Sequence, residues 1–225
     1  MQYSQLLFEK NDSIRLDSSV KRKLKLKKKA FYYEIRTEVF NGDHIQEIIF
    51  VVNYISRTYK GCRFPIYINI GHVTFYDKLV YVILESICYY LLKDKKQPLY
   101  ILFSAKHTIW SEGIAFSPLK NLTPKTTEVF ISKFNSDLYK RHFRKLVPII
   151  NDGRSEYLCS LMQEIFSFLT NNGIDEDSSN QLSEALIELI GNGGEHGQSE
   201  CLFDLDITHH MPKEMMKILR LHIMD

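Results

Sequence analysis

The chain has 225 residues, of which 44% are hydrophobic and 25% are charged, and its formal net charge is +2. These values are typical of a globular protein with one large domain or two small ones. No stretch approaches the roughly 20 apolar residues of a transmembrane helix, and the first residues lack the basic and apolar regions of a signal peptide. We therefore expect a cytoplasmic protein with no membrane partner.

The cysteines and histidines indicate neither a disulfide framework nor a metal site. Cys62, Cys88, Cys159 and Cys201 are far apart and form no CxxC pair, and the eight histidines lack the spacing of metal ligands. We expect all four cysteines to be buried thiols in a reducing compartment. This pattern excludes the small secreted domains that disulfides hold together.

The charge is distributed unevenly along the chain. Residues 1–60 hold 12 Lys/Arg against 7 Asp/Glu, residues 61–150 hold 13 against 6, and residues 151–225 hold 4 against 14. A change from a basic to an acidic composition indicates that two domains meet near residue 150. Together with the elements below, it predicts domains over residues 1–140 and 141–225.

The most basic segment is KRKLKLKKK, Lys21–Lys29, in which seven of nine residues are Lys or Arg. One interpretation is a patch that binds nucleic acid or an anionic membrane. The other is a solvated helix end or edge strand, because Leu24 and Leu26 alternate with lysines that would protect a sheet edge. The sequence alone leaves both interpretations open.

Residues 42–105 show the periodicities of alternating helices and strands. A helical stripe with Asp43 as its expected cap precedes the strand FPIYINIGHVTF, the helix YDKLVYVILESICYYLLKDKK and the strand QPLYILFSA. Strand, helix and strand of these lengths predict a parallel βαβ unit. The helix residues expected to face the sheet are Leu79, Val82, Ile83, Ile87, Tyr90 and Leu91.

The order of strand, GHVTFYD and long helix in residues 64–105 resembles a STAS-type domain, the fold of anti-sigma factor antagonists. In that family the loop after the strand carries Asp-Ser/Thr-Gly, and its hydroxyl is phosphorylated. Here the corresponding stretch, Tyr76-Asp77-Lys78-Leu79, has no Ser or Thr after the aspartate. The resemblance therefore implies the fold without the phosphorylation switch, and a general α/β layer is the alternative.

The last third of the chain predicts the order helix, helix, strand, strand. The helix SEYLCSLMQEIFSFLTNNG precedes a second helix that ends in EALIELIGNGGEHG, Glu184–Gly197, and the strands CLFDLDI and KILRLHIMD follow. Both halves of the chain therefore predict the α/β fold class, with the α+β two-layer arrangement of a sheet covered by helices.

The second helix carries polar residues at intervals of four. Each interval advances by about 40° around the axis, so Glu184, Glu188, Asn192 and His196 share one polar stripe. Each of the three glycines near its end costs about 1 kcal/mol relative to alanine in a helix, which indicates a close approach by a ligand or backbone. The residues expected to bury against the sheet are Leu182, Ala185, Leu186, Leu189 and Ile190.

The run from Glu188 to Gly197 resembles the N-box of the GHKL ATPases, the superfamily of gyrase, histidine kinases and MutL. Its pattern is Glu-x-x-x-Asn-Ala-x-x-His/Lys, and here Gly193 replaces the usual alanine. The glutamate four residues before the asparagine makes the run most similar to the anti-sigma-factor serine kinases. The resemblance covers residues 141–225 and implies the N-terminal part of a GHKL α/β sandwich.

The resemblance implies a role for each residue of the motif. Asn192 would bind Mg²⁺ through its side-chain oxygen, and Glu188 would orient or deprotonate the attacking nucleophile. His196 would lie near the phosphates or act only as a local hydrogen-bonding group. Asp225, directly after the last predicted strand, would bind the adenine amino group of ATP. Glu184 would support the site or remain a surface residue.

The leading hypothesis is an ATP-binding regulatory protein that hydrolyses ATP·Mg²⁺ or phosphorylates a protein partner. We expect this chain to bind ATP weakly or not at all, because the family's glycine-rich boxes and lid would follow Asp225 and because residues 151–225 are acidic. One alternative is a non-catalytic protein-interaction module, and another is a nucleic-acid-binding protein that uses the basic N-terminal half. An exposed sheet edge would favour a homo-oligomer.

Overall fold

The computed structural model describes residues 14–75, 78–105, 126–135, 142–148, 154–197, 200–209 and 217–224. Contacts within the chain divide it into two units, Met1–Lys133 and Phe134–Asp225. Each unit combines helices with its own sheet, which confirms the predicted mixed α/β class. Among the described helices, none has the length and apolar character needed to cross a membrane.

The first unit contains a five-stranded sheet with β4 at its centre. Its elements are α1 (Ile14–Lys23), β1 (Lys25–Lys27), β2 (Ala30–Glu34), β3 (Val39–Phe40), α2 (Gly42–Thr58), β4 (Ile66–Phe75), α3 (Lys78–Asp94) and β5 (Leu99–Ala105). Strands β2 and β3 pair in parallel with successive parts of β4, and β5 pairs in parallel with β4 as well. The predicted parallel βαβ unit is therefore confirmed.

Helices α2 and α3 cover one face of this sheet. Phe31 of β2 contacts Tyr59 at the end of α2, with 5.0 Å between ring centroids, and Phe75 of β4 meets Tyr81 of α3 edge-on at 5.3 Å. The other face is partly open to solvent, because Tyr32 and Leu102 remain 40% and 45% exposed. The first unit is thus a two-layer structure among its described residues.

A bulge at Gly71 interrupts the centre of β4. The register with β5 shifts between Asn69 and Gly71, and Gly71 has φ +68°, a left-handed conformation that glycine adopts without strain. The side-chain oxygen of Asn69 accepts a hydrogen bond of 3.0 Å from the Gly71 backbone N–H. The buried positions are therefore even-numbered before the bulge and odd-numbered after it. They are Ile66, Ile68 and Ile70, and then Val73 and Phe75.

The structure corrects several local predictions in the first unit. The side chain that caps α2 belongs to Asn41 and not to Asp43, because Asn41 Oδ1 accepts the Asp43 backbone N–H at 3.1 Å. Leu79 is 40% exposed, so it is not part of the buried stripe of α3. Burial of all four cysteines was also wrong, because Cys159 in the second unit is exposed and Cys62 is half-buried.

The basic run Lys21–Lys29 is divided among three structural elements. It begins in the last turn of α1, continues through the edge strand β1 and ends in the turn to β2. That turn has two residues, Lys28 and Lys29, with φ of +47° and +59°. The predicted edge strand is therefore confirmed for the central part of the run, and its placement leaves the binding interpretation untested.

The second unit contains a three-stranded antiparallel sheet in the order β6-β7-β8. Helix α4 (Thr127–Phe134) lies in the first unit except for its last residue, Phe134. The elements of the second unit are β6 (His142–Val147), α5 (Arg154–Asn171), α6 (Glu176–Gly197), β7 (Cys201–His209) and β8 (Lys217–Met224). The predicted order of helix, helix, strand and strand is confirmed. One core joins β6 and β7 to both long helices and includes Phe143, Val147, Leu161, Ile165, Leu186, Ile190, Phe203 and Leu205.

A buried ion pair lies between β6 and β7. The guanidinium of Arg144 donates from Nε and Nη2 to Asp204 Oδ2 at 3.0 and 2.8 Å, and it also lies 4.6 Å from the ring centroid of Phe134. The two side chains are 6% and 0% exposed. Charges lose their hydration on burial, so each of these buried charges is tolerated only because the other one is present.

Candidate functional site

Helix α6 separates a buried face from a polar face, as its spacing predicts. Leu186 and Ile190 are 4% and 0% exposed and belong to the core, whereas Glu188 and Asn192 are exposed. Residues four apart on a helix are neighbours on its surface, with about 5–6 Å between their Cβ atoms. Glu188 and Asn192 therefore offer a carboxylate and an amide to the same solvent-facing region.

The buried face of α6 differs from its prediction. Leu189 is 51% exposed and Ala185 is exposed, although both were expected to face the sheet. The buried face instead includes Ser179 and Ser183, which are both 0% exposed. The hydroxyl of Ser183 donates to the Ser179 carbonyl oxygen at 2.6 Å, so the helix itself satisfies this buried polar group.

Glu184 lies one turn before Glu188 and is exposed. Its carboxylate accepts a hydrogen bond of 3.1 Å from the side-chain amide of Asn180 on the preceding turn. This local contact directs Glu184 toward the N-terminal half of α6. The arrangement is compatible with the surface role that the sequence allowed for Glu184.

The last turns of α6 contain the predicted glycines without interrupting the helix, which runs to Gly197. Gly191 is buried. His196 lies in the final turn of the helix, but its side chain is outside the described residues. Asp225 lies outside them as well. The structure therefore describes the side chains of two predicted site residues, Glu188 and Asn192.

The electrostatics of this helix end favour a cation. The aligned peptide dipoles give a helix C-terminus a partial negative charge, and α6 ends five residues after Asn192. The exposed carboxylate of Glu188 adds a full negative charge one turn earlier. Oxygen ligands and a negative potential are what Mg²⁺ requires, although one amide and one carboxylate leave most of its coordination to water or a ligand.

Sequence reasoning missed a row of tyrosines on the partly open face of the first unit's sheet, where the row begins at the exposed Tyr32 and ends at the buried Tyr100. Tyr32, Tyr67 and Tyr100 are aligned in register across β2, β4 and β5. Ring centroids lie 5.1 Å apart for the first pair, which is stacked with an interplanar angle of 11°, and 4.7 Å apart for the second, tilted pair. A tyrosine in each strand, within FYY, IYI and LYI, was the available signal.

A cavity of about 250 Å³ lies elsewhere in the first unit, near the ends of α2 and α3. Arg63, Lys95, Tyr90 and Cys62 contribute to its lining. The cavity contains none of the predicted site residues. No group of three or more metal-binding side chains occurs among the residues that the structure describes.

Comparison with models of known protein families, with curated proteins and with solved structures finds no match for this chain.

Proposed function

We propose that the protein is an ATP-binding regulatory protein and that its second unit resembles a GHKL domain. The observation that carries the proposal is the placement of Glu188 and Asn192, which are exposed one turn apart on α6, opposite its buried residues Leu186 and Ile190. Further support comes from the order of α5, α6, β7 and β8, which agrees with the order that the resemblance implies.

In this proposal each residue has a chemical role that its side chain suits. Asn192 holds Mg²⁺ through its amide oxygen, and the metal offsets the charge of the ATP phosphates. Glu188 orients or deprotonates the nucleophile, which is water or a hydroxyl of a protein partner. His196 and Asp225 contribute to phosphate and adenine binding.

The acidic character of residues 151–225 sets the expected affinity. Residues 151–225 carry 14 Asp/Glu and 4 Lys/Arg, and this charge opposes the approach of a triphosphate. Mg²⁺ is therefore required for binding, and weak affinity is expected of the chain of 225 residues. An assay for this proposal must detect weak complexes.

A non-catalytic protein-interaction module is the second candidate. Leu189 favours it, because 51% of this large apolar side chain is exposed on the same helix as Glu188 and Asn192. An apolar side chain beside polar ones suits a contact with a protein partner. In this case the helix would bind its partner whether or not nucleotide is present.

Titration of the ¹⁵N-labelled chain with a non-hydrolysable ATP analogue, monitored by NMR, tests the proposal. With Mg²⁺ present, we expect shifts of the backbone amides around Asn192, which Asn192→Ala abolishes and which require the metal. The matched control is Asn180→Ala, which changes an exposed asparagine at the other end of the same helix. The assignment of the site to Glu188 and Asn192 would be excluded if the analogue left the amide shifts along α6 unchanged, or if Asn192→Ala and Asn180→Ala gave equal shifts. The interaction module would then be the better candidate.

A further inference from the structure

The open face of the first unit's sheet combines an aromatic row with a basic edge. Lys25 of β1 is directly opposite Tyr32 of β2, and Lys27 is opposite Ala30. Directly opposed residues of an antiparallel pair lie on the same face of the sheet. One row across this face therefore reads Lys25, Tyr32, Tyr67 and Tyr100.

Tyr32 is the outermost ring of this row. One side of the ring stacks on Tyr67, with 5.1 Å between centroids, and the whole residue keeps 40% of its surface exposed. Among the described residues no aromatic ring lies on its other side, where Lys25 follows in register. A planar group is thus able to extend the stack beyond Tyr32.

The cations around this position have no carboxylate partners among the described residues. Lys25, Lys27, Lys28 and Lys29 are all exposed, and none of them forms an ion pair there. Glu34, on the same face of β2, has its carboxylate bonded to Arg36 at 3.3 Å. The edge strand and its turn therefore present a concentrated positive charge beside the exposed ring.

The turn between β1 and β2 gives a second, independent observation. Lys28 and Lys29 both have positive φ, where side chains with a Cβ atom crowd the backbone and where asparagine or glycine is favoured. Two lysines in this position reduce stability without making any described contact. Strained positions of this kind cluster at functional sites, although Lys96, away from this surface, also has a positive φ of 52°.

We propose that this surface binds single-stranded nucleic acid, and we name it the tyrosine–lysine surface, formed by Tyr32, Tyr67, Lys25, Lys27 and the Lys28-Lys29 turn. A base stacks on the outer side of the Tyr32 ring and continues the Tyr32–Tyr67 stack. The lysines contact the phosphates on either side of that base. Aromatic stacking combined with backbone neutralisation is the general mechanism by which proteins bind single strands without reading sequence.

Single strands suit the surface better than a duplex or a membrane. A base in a duplex is stacked between its neighbours and does not offer a free face to Tyr32. An anionic membrane also attracts lysines, but binding by an amphipathic surface is strengthened by apolar side chains that insert below the headgroups. Leu26, the exposed apolar residue of β1, lies opposite Phe31 and therefore on the other face of the sheet.

Fluorescence anisotropy with labelled oligo(dT) and oligo(U) of about 12 nucleotides tests the proposal on the full chain. We expect Tyr32→Ala to weaken binding roughly tenfold, because stacking of one base is lost. Tyr32→Phe keeps the ring and should bind like the original chain. Lys25→Gln combined with Lys27→Gln should reduce the slope of log K against log[salt] by about 1.4, since each phosphate contact contributes about 0.7 for single strands.

A charge-matched control separates this surface from general positive charge. Lys60→Gln combined with Lys96→Gln removes two exposed lysines from the loops that follow α2 and α3, and it should leave affinity and salt slope unchanged. Equal loss in the control would overturn the proposal, and so would full binding by Tyr32→Ala. If duplex DNA or vesicles of phosphatidylserine and phosphatidylcholine bind as tightly as the oligonucleotides, the surface is a general polyanion or membrane site and the proposal is wrong.

Discussion

Removing one partner of the buried Arg144–Asp204 pair should destabilise the second unit strongly. Asp204→Asn preserves the shape of the side chain but leaves the Arg144 guanidinium buried without its carboxylate. Two N–H groups of Arg144 reach Asp204 Oδ2, at 3.0 and 2.8 Å, and each such charged hydrogen bond contributes about 1.5–3 kcal/mol. Loss of one partner of a buried pair costs about 3–5 kcal/mol, and we expect a loss of stability in this range.

Urea denaturation followed by circular dichroism measures this change. The control is Glu164→Gln, which breaks the exposed Lys145–Glu164 pair of 2.7 Å on the neighbouring residue of β6. An exposed pair contributes at most about 1 kcal/mol. The double substitution Arg144→Met with Asp204→Leu should recover much of the stability, because neither charge of the pair is then buried without the other.

The reasoning is refuted if Asp204→Asn costs no more than the surface control. That outcome would mean that the guanidinium finds another partner or reaches water at low cost. Additivity of the Arg144 and Asp204 substitutions would also contradict it, since a coupled pair shows an interaction free energy in a double-mutant cycle.

Two further predictions concern the first unit. Lys28→Asn combined with Lys29→Gly should raise its stability in urea by about 1 kcal/mol, because both φ angles are positive and an Asn-Gly turn adopts them readily; no gain would show that the turn is unstrained. Burial and the hydrogen bond to Glu47 raise the pKa of Tyr33 above its usual value. Above about pH 10 the phenol therefore ionises in the unfolded chain but not in the folded one, which favours unfolding, so the free energy of unfolding should fall as the pH rises. Tyr33→Phe should make this decline smaller, and an identical pH profile for both proteins would exclude Tyr33 as a cause.

Periodicity predicted the parts of the fold in which one face is apolar and the other polar. The strand–helix–strand unit around β4 and the exposed positions of Glu188 and Asn192 followed from such patterns. The same reasoning was wrong for Leu189 and Ala185, because two buried serines with a hydrogen bond inside the helix occupy the core face instead. A periodic pattern identifies faces but does not assign each residue at their borders.

The buried ion pair was beyond the reach of sequence patterns. Asp204 alternates with apolar residues in CLFDLDI, which ordinarily indicates a strand with one solvated face, yet β7 is buried on both faces from Cys201 to Ile207. Its partner Arg144 lies 60 residues earlier in the chain. A contact over that separation depends on strand register, which the local sequence does not encode.

The bulge at Gly71 reverses which face of the sheet the following side chains of β4 point to. In a regular strand, Val73 and Phe75 would share a face with Gly71 and Tyr67, and so they would point away from the helices. The one extra residue returns them to the side of Ile66 and Ile70, where they are buried. The ten residues of β4 therefore form two segments in which the alternation of inward and outward side chains is shifted by one residue. One extra residue is accommodated at the bulge, whereas an extra residue elsewhere in the strand would turn the apolar side chains beyond it to the other face.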